Sequence, residues 1–176
     1  DDSWARDPGP TFITDPSRTR LIGLDWDFNA YGGEKEGCYW PCDKDKALCV
    51  NMCKAVEKQY GIKVETRKVP MILEGGSIHT DGEGTVMATM ECLLNKNRNP
   101  SMTKQEIEAM VTKSLGCTKM IWLPHGVAND EDTNGHVDNW CMFARPGEVI
   151  LSWCDDPTDE NYTRCRESME VLEKET

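Results

Sequence analysis

Three short polar clusters collect the carboxylates, the imidazole and the paired glycines best suited to chemistry. The first, Trp4-Ala5-Arg6-Asp7-Pro8-Gly9-Pro10, sets a Trp and a carboxylate three residues apart in a Pro- and Gly-rich stretch. The second, Glu74-Gly75-Gly76-Ser77-Ile78-His79, follows an apolar run, and its glycines let the backbone turn sharply and approach a ligand. The third is Asn134-Gly135-His136-Val137-Asp138-Asn139. His136 and Asp138 are two apart and share a face if that segment is extended, which would put an acid/base group and a cation-binding carboxylate at one centre. Taken singly, each cluster is ordinary: a Glu-Gly-Gly is most often a turn, and a His-x-Asp on a strand is most often structural.

The elements that must hold these clusters can be read from periodicity and caps. A first helix is predicted from about Asp43, as N-cap, to Tyr60, with Leu48, Val50, Met52 and Val56 apolar and Gly61 as its stop. A second opens on a capping box, Thr103 with Glu106, carries Ile107, Met110, Val111 and Leu115 on one face, and ends at Gly116. A third begins near Asp159 and carries Tyr162, Met169 and Leu172 towards Lys174. Strand-like segments fill the gaps: 21–28, 69–73, 77–80, 85–89, 119–123, 140–144 and 149–153. Two hairpin turns are visible, Thr80-Asp81-Gly82-Glu83-Gly84 and Arg145-Pro146-Gly147-Glu148. Helix starts near 43, 103 and 159 recur at similar intervals, so a repeated hairpin, helix and strand is suspected beside the alternative of an evenly spaced α+β domain.

The clusters and their surroundings come in a recognisable order. Asp7 in its Trp-x-x-Asp stretch is followed by Gly23-Leu24-Asp25-Trp26-Asp27-Phe28-Asn29-Ala30-Tyr31-Gly32-Gly33, then Glu74-Gly75-Gly76, Asn95-Lys96-Asn97-Arg98-Asn99-Pro100 and Gly135-His136-Val137-Asp138-Asn139. Over nearly all 176 residues this resembles the agmatine deiminases of the Porphyromonas-type peptidyl-arginine deiminase family, in the pentein superfamily. The resemblance implies an α/β fold, the pentein propeller of repeated ββαβ units, here incomplete, with residues 1–176 as part of a single catalytic domain. It also implies that the nucleophilic Cys lies in a later glycine-rich segment that these residues do not include. The chain starts without Met and is expected to be either a piece of the whole enzyme or a truncated relative.

The same resemblance assigns roles. Asp7 and Asp138 would grip the guanidinium nitrogens, Glu74 would complete the grip and orient His136, and His136 would shuttle protons. A guanidinium stays protonated and resonance-stabilised, so it reacts only when clamped and when a leaving nitrogen is protonated. The expected reaction turns agmatine into N-carbamoylputrescine and ammonia through an amidino-cysteine intermediate, in putrescine and polyamine formation. Trp4 and Asp132 are candidates for the rim that meets the amine end of agmatine. Two other readings stay open: a non-catalytic module that binds a guanidinium or polyamine, and a deiminase for arginine or peptidyl-arginine.

No cofactor or metal is called for. Asp130-Glu131-Asp132-Thr133-Asn134-Gly135 imitates the start of a calcium loop, but position twelve is Cys141 instead of the bidentate Glu. Cys38, Cys42, Cys49 and Cys53 are spaced C-x3-C twice, which is wrong for a zinc knuckle and simpler as buried or surface thiols. Cys141 lies five residues beyond His136, an odd offset that would point it away along a strand. His79 and His125 are expected to be structural or exposed.

Composition excludes several classes. Thirty-one acidic against 20 basic residues give a net charge of −11, which repels nucleic acid and anionic membranes and tolerates a cationic substrate. No apolar run approaches the ~20 residues of a membrane helix. Nine Cys, an odd number scattered among apolar stretches, suit reduced thiols in the cytoplasm, so the Asn161-Tyr162-Thr163 sequon is expected to be idle. Self-association into a homo-oligomer is left open.

Overall fold

Five consecutive buried residues, Ile22 to Trp26, can only be a strand covered on both faces or a buried helix, and their β-branched and aromatic content favours the strand. The computed structural model, which describes residues 2–175, bears this out. The described chain divides into two compact units that part between Gly75 and Gly76.

The first unit runs β1 (Thr11–Thr14), β2 (Leu21–Asp27), α1 (Gly33–Glu36), α2 (Asp43–Lys46), α3 (Leu48–Tyr60) and β3 (Val64–Ile72). β2 is the central strand, antiparallel to β1 and parallel to β3, with an irregularity in register between Trp26 and Asp27. A parallel neighbour demands a crossover, and α3 supplies it. The helix predicted from Asp43 is broken at Ala47, whose N–H reaches the carbonyls of both Asp43 and Lys44. Asp43 is the first helical residue and Cys42 occupies the N-cap, with no side-chain cap bond. The inward face of α3 also differs from expectation. Cys49 and Cys53 are buried with Val64, flanked by Leu21 and Val56, while Leu48, Val50 and Met52 are only half-buried. Two thiols one turn apart give the helix a slim face, close enough to β2 for the Cys49 thiol to reach the Leu24 carbonyl at 3.6 Å. Gly61 closes the helix with φ of 66°.

The second unit repeats the order. β4 (Ile78–Thr80) and β5 (Thr85–Thr89) form the hairpin, α4 (Met90–Leu93) and α5 (Lys104–Leu115) follow, and β6 (Lys119–Leu123) returns parallel to β5. A second hairpin, β7 (Cys141–Arg145) and β8 (Glu148–Leu151), is followed by α6 (Asn161–Lys174). The even spacing of the helix starts therefore marks a true repeat of ββαβ modules, continued as far as α6. α5 carries the predicted capping box in full, with Thr103 and Glu106 each serving the other's backbone. α5 buries Ile107 and Val111 and bonds β6 through Glu108, which accepts from the Trp122 indole at 2.8 Å. One core joins the modules of this unit: Met87, Ile121 and Leu123 pack with Val137, Trp140, Cys141, Cys165 and Leu172. Among the described residues no helix is long and apolar enough to cross a membrane. β1 and the first half of β3 were not foreseen, because their polar alternation carries little apolar signal.

Candidate functional site

In the first unit a tight N-terminal turn is laid against the junction that follows β3. The Asp7 N–H bonds the Trp4 carbonyl at 3.0 Å, and the Asp7 carbonyl accepts from Gly75 N–H at 3.3 Å. Arg6 Nε donates to the Gly75 carbonyl at 3.2 Å. Only glycine fits there, since a Cβ on Gly75 would lie 2.1 Å from the Arg6 carbonyl oxygen. This places Asp7, 8% exposed, beside the segment of Glu74, which is fully buried.

The Asp7 carboxylate is held by a residue that no chemistry in the sequence pointed to. Tyr31 is buried, stacks edge-on to Phe28 with centroids 5.4 Å apart, and gives its hydroxyl to Asp7 Oδ2 at 3.0 Å. Asp2 Oδ2 lies 2.8 Å from the same hydroxyl. Burial, followed by the bond to Asp2 and the charge of Asp7, pushes the phenol far above its ordinary range, so Tyr31 stays a neutral donor. Its backbone is costly: Ala30 and Tyr31 both take positive φ, 55° and 70°. Trp4 points away from this packing and is 72% exposed.

In the second unit the loop before His136 is built from side chain to backbone bonds. Asp130 accepts from Thr133 N–H and Gly135 N–H, each at 3.0 Å, and from the Thr133 hydroxyl. Burial alone would raise its carboxyl, but those three bonds, with the Thr133 hydroxyl foremost, hold it below the usual range. A carboxylate so engaged caps the loop. Gly135 has φ of 87°, and a Cβ there would fall 2.9 Å from a Glu91 oxygen. Its carbonyl accepts from Thr89 Oγ1 at 2.5 Å, which ties the loop to the end of β5.

His136 is 2% exposed, and a ring nitrogen lies within 4.8 Å of the buried Cys92 thiol. Here the geometry corrects the reading of His136 and Asp138 as neighbours on one face of a strand. Residues Val137–Asn139 form a 3₁₀ turn, in which successive side chains swing by about 120°, so His136 goes inward while Asp138 is exposed. Asp132 is exposed on the same loop. The motif at Asn95–Pro100 yields the other residue that went unassigned: Arg98 is a buried guanidinium bonded to the His136 loop.

The remaining candidates are structural. His79 accepts the Phe143 N–H at 3.2 Å through Nδ1, and His125 lies half-exposed 3.3 Å from Glu167. Cys42, Cys49 and Cys53 are buried while Cys38 is exposed, so the four do not form one buried set. Burial pushes the Cys141 thiol up to about 12, the wrong direction for a nucleophile. Asn161 is engaged at both ends, accepting from Ala128 N–H at 2.9 Å and donating to Asp159 at 3.0 Å.

Comparison with known proteins decides the family. The profile of the Porphyromonas-type peptidyl-arginine deiminases matches residues 1–176. The chain belongs to this family. An agmatine deiminase of Ectopseudomonas mendocina is 50% identical over 98% of the chain and 45% of its own length. One of Stutzerimonas stutzeri is 50% identical over 99% of the chain and 45% of its length. The solved agmatine deiminase of Enterococcus faecalis superposes with a TM-score of 0.90 at 37% identity, covering 98% of this chain and 46% of that one. That of C. jejuni with substrate bound superposes at 0.83 and 34%, covering 99% and 49%. The chain thus spans about half the length of the family members it matches, and its ββαβ modules are those of their α/β pentein fold.

Proposed function

We propose that the protein carrying this chain is an agmatine deiminase, converting agmatine and water into N-carbamoylputrescine and ammonia on the way to putrescine. The observation that carries this is the 50% identity to agmatine deiminases sustained along 98% of the chain. The chemistry of the residues agrees with it. In this reading Asp7 and Asp138 pair with the guanidinium nitrogens, Glu74 completes the grip, and Trp4 and Asp132 meet the amine end. A Cys of the family's glycine-rich segment adds as thiolate to the guanidinium carbon. His136 gives a proton to the leaving nitrogen, ammonia departs, and an amidino-thioether remains. His136 then takes a proton from water, whose oxygen adds to the same carbon, and the thiolate leaves as the carbamoyl product forms. Tyr31 supports the grip by holding the Asp7 carboxylate in place. Nine free thiols and an acidic surface support a cytoplasmic setting and a cationic substrate, with no nucleic acid or membrane partner.

Steady-state assays of the full-length protein test the proposal, with ammonia and N-carbamoylputrescine read together. Agmatine is expected to be turned over with a kcat/KM well above those of arginine and peptidyl-arginine. Preference for either of those would move the protein to another deiminase activity. Binding of agmatine without turnover, in a native protein of 19.9 kDa intact mass, would make it the non-catalytic module.

A further inference from the structure

Residues 133–136 leave the Asp130 turn through two left-handed positions, Asn134 with φ of 60° and Gly135 with φ of 87°. Gly135, just before His136, is held by Asp130 at its N–H and by Thr89 at its carbonyl, and the direction in which it enters those bonds is set by the two residues before it, Thr133 and Asn134. Those two residues are held from the other side by Arg98, 2% exposed, on the turn that follows α4. Arg98 Nη2 donates to the Thr133 carbonyl at 3.1 Å, and Nη1 donates to Asn134 Oδ1 at 2.8 Å. The same Nη1 reaches Asn97 Oδ1 at 2.6 Å, and Asn97 Nδ2 donates to Asn134 Oδ1 at 3.1 Å. Two successive residues of the loop are thus held by two prongs of one planar fork, with Asn97 bracketing the second. The pinned segment is bonded onward to the imidazole's own backbone, since His136 N–H reaches Thr133 Oγ1 at 3.4 Å.

We infer that Arg98 is a positioning residue for His136, setting where the imidazole leaves the 130–136 loop and therefore how well it exchanges protons with the guanidinium. This deepens the proposed function and rests on its assignment of His136. The fork is the feature that matters. A Lys would keep a positive charge but present one point donor where two fixed directions are needed. Misplacement of a proton-transfer group by a fraction of an ångström acts on turnover and leaves ground-state binding nearly untouched.

The test uses the full-length protein with Arg98→Lys, Arg98→Gln and Asn97→Ala. Arg98→Lys is expected to lower kcat on agmatine roughly tenfold or more with KM within about twofold, and to move the acidic limb of the kcat/KM profile against pH. Asn97→Ala removes the bracket and leaves the guanidinium, so it keeps the fold in hand should the Arg98 variants be insoluble; the same change in smaller degree is expected. The His136 ring resonances, followed by NMR against pH without substrate, are expected to shift and titrate differently in each variant. That readout stands even if agmatine proves not to be the substrate. Wild-type kcat and pH profile in Arg98→Lys, or activity falling only in step with the folded fraction, would overturn the inference, as would unchanged His136 titration in all three variants. An inactive wild-type protein whose His136 resonances move as expected would sink the agmatine reading and leave Arg98 as the positioner of His136.

Discussion

A carboxylate proposed to grip a cation must have its direction set, and Tyr31 does this for Asp7 by donating its hydroxyl to Oδ2. Phe in place of Tyr31 keeps the edge-on contact with Phe28 and loses only the hydroxyl. A hydrogen bond to a charged group contributes about 1.5–3 kcal/mol, so Tyr31→Phe is expected to lower kcat/KM on agmatine roughly ten- to a hundredfold in the full-length protein. The melting temperature measured beside it should move little. Asp138 and Asp132 are both exposed here, and substitution tests the proposed roles of inner carboxylate for Asp138 and outer one for Asp132. Asp138→Asn is expected to depress kcat on the order of a hundredfold, since it would remove one charge of a pair desolvated by substrate. Asp132→Asn should mainly raise KM for agmatine and relax discrimination against arginine. Equal losses at the two positions would show the assignment to be wrong.

Among the elements, the 130–136 loop depends most on one ionisation. Asp130 is held below its usual range by the Thr133 and Gly135 bonds, with the neighbouring charge of His136 adding to the effect, so folding is favoured when it is ionised. The stability it supplies is present above the ordinary carboxyl value of 3.8 and is lost as pH falls through the lower folded value. Asp130→Asn should therefore be less stable than wild type in urea melts at pH 7, and the gap should close in strong acid as wild type protonates. A gap that persists unchanged at low pH would mean that the charge of Asp130 does no work in the loop.

At the scale of the molecule, these modules in the proposed reading hold the carboxylates and the imidazole, with the thiolate supplied by the Cys of the family's glycine-rich segment. The purified 176-residue chain is expected to release ammonia from agmatine at no more than a negligible rate. Clamping a guanidinium leaves its carbon resonance-stabilised unless a nucleophile is supplied. Release at an enzyme-like rate would redirect attention to the nine thiols of the chain, although burial raises that of Cys141.

Local signals were legible in the residues themselves. The Thr103–Glu106 box, the Gly61 and Gly116 stops and both hairpin turns all act through bonds a few positions long, so each is written where it operates, and the repeat of helix starts is legible because these local signals recur. The three polar clusters and their family likeness were legible for the same reason: composition at fixed spacing survives without coordinates. Which face of α3 turns inward was not, because Cys49 and Cys53 win that face by fitting close against β2, a property of the partner strand. Nor was the 3₁₀ turn at 137–139, where the pinned loop overrides the alternation that His-x-Asp suggests. The supports of Asp7 and His136 lay furthest from view. Tyr31 meets Asp7 across 24 residues and Arg98 meets Asn134 across 36, and only the packed sheets bring such distant groups within a hydrogen bond.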